Sequence, residues 1–334
     1  MCVNGFIWLI FICGSDRDVV TFKSSFLGKK LFFSNSCPNE DNIQGRSYSN
    51  SNIDILDCCF IRSAHFSGEG GVIYVSEKLK VMNINKAVFH NCVCSSNGGA
   101  IFFNSSQAYM KMICASRCSA SSFHFAHISA IQNNECDYLS MSYCAPTTNG
   151  MYSLRFMNGN QSFQSINSSI NNAYQTSGVL FVSPLLFSNS HCTFSNNRVT
   201  TGICIHFSEV TGILSFTNVI NNNSPQIYGV VRVYYGSVRF EYSVFDMNTN
   251  TLFSVVPGVF EVHHSFISHS GITSSSNNNS LIKHPTYMMH FFMTHICNAD
   301  NPISIQKATF HRMSSSHRSF IVLLGFSIMV VCDE

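Results

Sequence analysis

A short unit returns along most of this chain: an aromatic or aliphatic residue, a polar stretch rich in Asn and Ser, then glycine and a brief apolar run. Its clearest copy is AVFHNCVCSSNGGAIFF, residues 87–103, in which Phe89 precedes Gly98-Gly99. Phe60 precedes Gly70-Gly71 in the same way, Ile170 precedes Gly178, Phe194 precedes Gly202, and Ile220 precedes Gly229. The steps from Gly71 to Gly99, from Gly178 to Gly202 and from Gly202 to Gly229 are each about 24–28 residues. A unit of this length cannot bury its apolar face alone and must stack on its neighbours, so a period of this size without helical patterning specifies a solenoid.

The residues within the unit read as strands. Val238, Phe240, Tyr242 and Val244 alternate with Ser237, Arg239, Glu241 and Ser243, the two-residue period of a half-buried strand. Leu214 with Phe216, and Phe260 with Val262, form related pairs in neighbouring units. One unit leaves no room for a crossover helix, and stacking strands at ~4.8 Å pairs each backbone amide with the next rung. The expected fold is therefore all-β, a parallel β-helix with coils of about 24–28 residues. The interval from Gly99 to Gly178 is long enough for three such coils, with Asn149-Gly150 and Asn158-Gly159 at corners. Asparagines such as those of Ile220-Asn221-Asn222-Asn223 are expected to bond their amides up and down the stack. The β-helix is expected over 53–313, behind an N-terminal cap at 16–52 and ahead of a short stalk at 314–319. Ser274 to Asn279 reads as a polar loop bulging from one coil.

Composition narrows the alternatives. Phe (30) outnumbers Leu (15), against a leucine-rich repeat of similar period. Only 11% of residues are charged and the net charge is +2, without the clustered Lys and Arg that a nucleic-acid partner requires. An apolar fraction of 45% excludes simple disorder.

The two ends are apolar. Phe6 to Cys13, FIWLIFIC, followed by a small and then a charged stretch, reads as the core of a signal peptide over 1–15. Phe320 to Cys332 is uncharged, but as a helix it would reach only about 20 Å against a ~30 Å hydrocarbon core, so 320–332 reads as a short or truncated membrane anchor. The sequons at Asn104, Asn160, Asn167, Asn222 and Asn278 would suit an exported chain, as candidate N-glycosylation sites. Of the 15 cysteines, 12 lie between the apolar ends; in an exported chain they could pair as disulfides, or they could be small residues stacked in the coil interior. Cys92-x-Cys94 and Cys114-x3-Cys118 lack the second pair a zinc finger needs.

Gly98-Gly99-Ala100-Ile101, together with Phe194-Ser195-Asn196-Asn197 and Phe245-Asp246-Met247-Asn248, resembles the GGAI and FxxN motifs of polymorphic membrane protein repeats. These occur in chlamydial autotransporter adhesins and in large surface proteins of some protists, and the resemblance spans Phe60 to Phe266. It implies a right-handed parallel β-helix displayed outside the cell, with adhesion as the role. The chain has no C-terminal β-barrel sequence of the bacterial type, and its single apolar segment is closer to the protist type. The repeat-defining positions are Phe60, Gly70, Gly71, Phe89, Gly98, Gly99, Gly178, Phe194, Gly202, Ile220, Gly229 and Phe245.

Right-handed β-helices also carry polysaccharide lyases and hydrolases, which need clustered carboxylates. The 17 acidic residues are scattered: Glu135 and Asp137 could share a strand face, while Asp54 and Asp57, three apart, could not. His124 with His127, His263 with His264, and His290 with His295 lack metal-ligand spacing and read as exposed or stacked residues. No P-loop or G-x-S-x-G occurs. The sequence therefore points to a non-enzymatic, cell-surface or secreted protein exported by the secretory pathway. It would use no cofactor, catalytic group or metal, and would adhere to glycans or to proteins of a host or neighbouring cell. A degenerate carbohydrate-active β-helix enzyme is the alternative.

Overall fold

The computed structural model describes residues 30–33, 46–47, 52–65, 68–145, 150–225, 228–249, 251–268 and 279–285. Among the described residues the regular elements are all strands, and their pairings are parallel. Over the described residues the chain winds as a β-solenoid of about eight turns.

Each turn visits three strand faces in the same order. The strand Ile101–Ser116 runs through all of them: 101–105 lie on face one, 107–111 on face two and 113–116 on face three. A short return arm then leads to face one of the next coil, as where Asn172–Ala173 pairs with Arg198–Val199. On face one Val75, Phe103, Ile128, Phe156, Phe181, Phe207, Val233 and Val255 stand in one column, each at most 1% exposed. The rings stack along the axis, with Phe181 5.4 Å from Phe207 and 6.1 Å from Phe156. The abundance of Phe over Leu follows from this column, because flat rings pile up at rung spacing.

Two columns of left-handed residues turn the chain. Lys86, Met112, Tyr138, Ser165, His191, Phe216, Tyr242 and His264, all at positive φ, join face two to face three. Arg62, Asn91, Arg117, Tyr143, Ile170, Asn196, Asn221 and Met247 join face three to the return arm. A single αL residue bends a strand sharply and resets which way the next side chain points. The alternation read through 238–244 therefore fails at its third member. Val238, Phe240 and Val244 are buried, but Tyr242 is a corner residue and 42% exposed, and Ser243 is buried in its place. Phe216 is likewise a corner residue rather than the inward partner of Leu214.

Coil length varies more widely than the repeat suggests. The coil that carries Ile53 to its rung partner Met82 is longer than expected, and the one that carries Val238 to Phe260 is shorter. The short coil loses its residues from the return arm: the path from Phe245 to Phe253 is several residues shorter than the equivalent path from Val219 to Val231. Rungs keep their register because the arm absorbs the difference. The coil also begins before residue 53, since Lys30–Phe33 and Arg46–Ser47, within the expected cap, pair in parallel with 52–55 and 73–74. Residues 1–15 and 286–334, which include the expected signal, stalk and apolar C-terminal segment, lie outside the described residues, as do most of 274–279.

The repeat motif acquires a structural meaning here. Phe60, Phe89, Ala115, Met141, Ser168, Phe194, Val219 and Phe245 form the inward column of face three. Ile220 is therefore not an anchor, because Val219 points in and Ile220 points out; Ile170 is a corner residue, and Ser168 fills its rung. Gly70 and Gly98 sit at positive φ, and a Cβ on Gly71 or Gly99 would fall 2.0 Å from the carbonyl oxygen of Gly99 or 2.1 Å from that of His124. Gly178, Gly202 and Gly229 occupy the same corner region but different rungs of it: Gly178 stands one before Val179, which pairs with Ile205, while Gly202 stands three before that partner.

Candidate interaction surface

A β-helix has its core on the axis, so anything it recognises must meet the outward positions of its faces or corners. On face two the outward column runs Asp54, Asn83, Tyr109, Glu135, Ser162, Ser188, Ile213, Arg239 and Glu261. Its polar groups bond along the stack: Asn83 Nδ2 donates to Asp54 Oδ1 at 2.6 Å, and Arg239 Nε donates to Glu261 Oε2 at 2.6 Å. The Arg239 guanidinium, helped by His263 at 3.1 Å, holds the Glu261 carboxyl below its usual range. Glu135 and Asp137 do share this face, but in the column of each the adjacent rungs carry Tyr109 and Ser162, or Lys111 and Gln164. No carboxylate stands above or below either one. Asp54 is engaged by Asn83 as above, and the Asp57 side chain lies outside the described residues.

Face one carries a different column: Tyr74, Phe102, His127, Arg155, Leu180, His206, Arg232 and Ser254. Tyr74 stacks on Phe102 at 5.4 Å and Phe102 on His127 at 5.0 Å. Phe123 packs beside this row, 4.7 Å from His127 and 5.1 Å from Tyr152. Burial pushes the imidazole of His127 down to about 3, with the Arg155 charge adding to the effect; His206, next to Arg232, is pushed down to about 4 in the same way. Both are neutral at physiological pH.

His124 belongs to the interior instead. Its Nδ1 accepts from the Ala120 N–H at 3.3 Å and its Nε2 lies 3.2 Å from the Gly150 carbonyl, which fixes the neutral tautomer, and burial lowers its pKa to about 4. His264 closes an external ladder at the corner between faces two and three: His191, Phe216, Tyr242 and His264 stack at 5.0, 5.5 and 5.3 Å. His127 and His264 thus follow the stacked reading and His263 lies half-buried beside Glu261, whereas His124 is a buried, backbone-bonded residue; His290 and His295 lie outside the described residues. Among the described residues no three His, Cys, Asp or Glu converge as a metal site, and no helix is long and apolar enough to cross a membrane.

The candidate glycan acceptors fall in unlike places. Asn104 is exposed on face one. Asn160 is half-buried, its Nδ2 donating to Asn133 Oδ1 at 3.1 Å. Asn167 and Asn222 are 1% and 0% exposed, so the folded coil has no room for a glycan on either amide. Asn278 lies outside the described residues.

Asn222 is a member of the feature that sequence reading missed. Cys92, Cys118, Cys144, Asn171, Asn197, Asn222 and Asn248 occupy one buried corner position in successive coils, three residues after the inward anchor of face three. The Oδ1 of Asn197, Asn222 and Asn248 accepts the backbone N–H of Asn171, Asn197 and Asn222 at 3.0–3.1 Å. The Nδ2 of Asn197, Asn222 and Asn248 donates to the carbonyls of Ser168, Phe194 and Val219 at 2.7–2.8 Å. Cysteine supplies the donor half of this part lower down: the Cys92 thiol faces the Phe60 carbonyl at 3.5 Å and the Cys118 thiol the Phe89 carbonyl at 3.7 Å. FxxN and its variant FxxC, as in Phe89-His90-Asn91-Cys92, are one device. The spacing of three after each anchor was the signal that could have revealed it. Cys92, Cys94, Cys118, Cys136, Cys144, Cys192 and Cys204 are all buried free thiols, in keeping with the stacked-interior reading for these seven.

No protein-family model, curated protein or solved structure matches the chain.

Proposed function

We propose that this protein is a non-enzymatic adhesion or display solenoid, working at the cell surface or secreted through the secretory pathway, of the kind found in polymorphic membrane protein repeats. The observation that carries the reading is the in-register stacking of outward side chains along the faces, from Asp54 to Glu261 on face two, where Glu135, Ser162, Ser188 and Ile213 are exposed, and from Tyr74 to Ser254 on the more buried face one. Such a face is rigid, because each rung is bonded above and below. It therefore offers a long partner many weak contacts without a loss of entropy on ordering. Partners of this kind are glycans or proteins of a neighbouring or host cell. A glycoprotein exported with Asn104 exposed, and held at the membrane by residues 320–332, completes the proposal.

The test is to immobilise the full-length chain and offer it a glycan array and intact cells. Retention of glycans or cells without release of product is the expected result. Release of reducing ends or unsaturated sugars from a polysaccharide, abolished by Glu135→Ala or Asp137→Ala, would instead establish a degenerate carbohydrate-active enzyme. Fractionation of a C-terminally tagged chain tests the location: recovery from medium or membranes supports it, and recovery wholly in cytosol refutes it.

A further inference from the structure

Arg155 and Arg232 stand on the outward column of face one, three rungs apart through Leu180 and His206. At ~4.8 Å per rung that is about 14 Å along the axis. Each guanidinium lies over aromatic rings, Arg155 at 5.5 Å from the Phe123 centroid and Arg232 at 5.5 Å from Tyr234 and 5.8 Å from Tyr228. Each also has a histidine on the rung below, His127 under Arg155 and His206 under Arg232. Among the described residues neither arginine has a carboxylate partner, and burial lowers the pKa of each guanidinium, with neighbouring tyrosines opposing the effect. Nδ1 of His127, Nε2 of His206 and Nε of both arginines are shielded from water with no hydrogen-bond partner, and His127 is only 8% exposed. Elsewhere the molecule does match its charge, as where Arg239 meets Glu261. A half-buried cation without a counter-ion is expensive to hold, and two in one column with the same aromatic and imidazole surroundings form a repeated arrangement waiting for negative charge.

We propose that this strip of face one binds an acidic glycan, the Arg155 and Arg232 guanidiniums each taking a carboxylate group of the sugar chain. This rests on the adhesion reading and names its ligand class. The planar fork of arginine matches an oxyanion with two parallel hydrogen bonds, and the rings packed on its face help to fix its orientation. Spacing selects the polymer. A nucleic-acid strand carries a charge about every 3.4 Å, so two cations in about 14 Å would leave most phosphates unmatched. A peptide adding itself as a strand needs free backbone donors, and on this face they are bonded to the next coil. A sparsely charged polymer laid along the axis meets both cations without either requirement.

The experiment titrates the full-length chain with a uronate oligosaccharide, with its carboxyl-reduced counterpart and with inorganic sulfate, by calorimetry. Variants Arg155→Gln, Arg232→Gln, the double substitution and Arg232→Lys are compared, with circular dichroism confirming an intact coil. The expected result is binding of the uronate form only, roughly tenfold weaker or worse in each single Gln variant, lost in the double, and partly kept by Arg232→Lys. Equal binding by the double variant, or by the carboxyl-reduced sugar, overturns the inference. A sulfate signal with no glycan binding overturns it too, showing an isolated anion site only. If the unaltered chain retains neutral glycans or cells but does not bind the uronate form, this inference falls and the adhesion reading stands; if the unaltered chain retains nothing, both fall.

Discussion

A backbone N–H at the corner between face three and the return arm has no rung partner in the ordinary sense, and the amide of an asparagine one coil on supplies it. Asn197 does this twice over: its Oδ1 takes the Asn171 N–H at 3.1 Å, and its Nδ2 gives to the Ser168 carbonyl at 2.8 Å. Removing the side chain strands both groups in a dry corner, each at about 1–3 kcal/mol. Asn197→Ala should therefore lower stability by at least about 2 kcal/mol, seen as a lower urea midpoint with an unchanged slope. Asn197→Cys should cost clearly less, because Cys92, Cys118 and Cys144 fill the same position in other coils. Equal losses for the two substitutions would show that the amide and the thiol are not equivalent there. This position was half legible beforehand. Stacked asparagines were expected at 221–223, and the amides of Asn221 and Asn196 do meet, at 2.6 Å. That cysteine belongs to the same column could be seen only once the coils were in register.

Strands and corners divide the work at the next scale. The strands contribute burial; the corners decide where burial can occur, since each αL residue shifts the inward set by one. A corner that must also admit the neighbouring backbone tolerates no side chain. Gly99→Ala would place a methyl group 2.1 Å from the His124 carbonyl oxygen, a rigid atom, and so force two coils apart. We expect a loss of about 3 kcal/mol or more, read as a drop in melting temperature. Gly68→Ala is the control: the atoms its Cβ would meet most closely are those of the His65 imidazole, a side chain that can swing aside for the loss of its contact with the Glu69 carbonyl, so it should cost much less. If the two variants melt together, the close approach of coils at Gly99 is not what fixes the corner. Gly98-Gly99 was legible as a corner from its sequence, whereas the corner role of Tyr242 and Phe216 was not. Aromatic residues alternating with polar ones look inward-facing until the bend before them is known.

Across the whole molecule, contacts run from coil to neighbouring coil, so stability accumulates along one axis. Charge inside that axis weakens it throughout. His124, His127 and His206 are held neutral by burial, at about 4, 3 and 4, against 6.5 for a solvated imidazole. Between those values the unfolded chain binds protons that the folded chain excludes, so stability is greatest above about pH 6.5 and falls as pH drops toward 4. Each histidine contributes a slope of at most about 1.4 kcal/mol per pH unit. Urea midpoints at neutral and mildly acidic pH should show the fall, and His124→Gln should flatten it; a midpoint independent of pH over that range would contradict the burial of these rings. The sequence by itself determined that the chain is a stack of coils, since a two-residue period inside a repeat too short for a crossover helix is most simply met by parallel strands stacked coil on coil. It also determined that asparagine would serve the corners. Only the tertiary structure decided which residue of each unit faces the axis, because one left-handed residue moves that choice by a single position. It alone brought Arg155 and Arg232, remote from each other along the chain, onto one strip, because register between coils depends on return arms whose length the repeat does not hold constant.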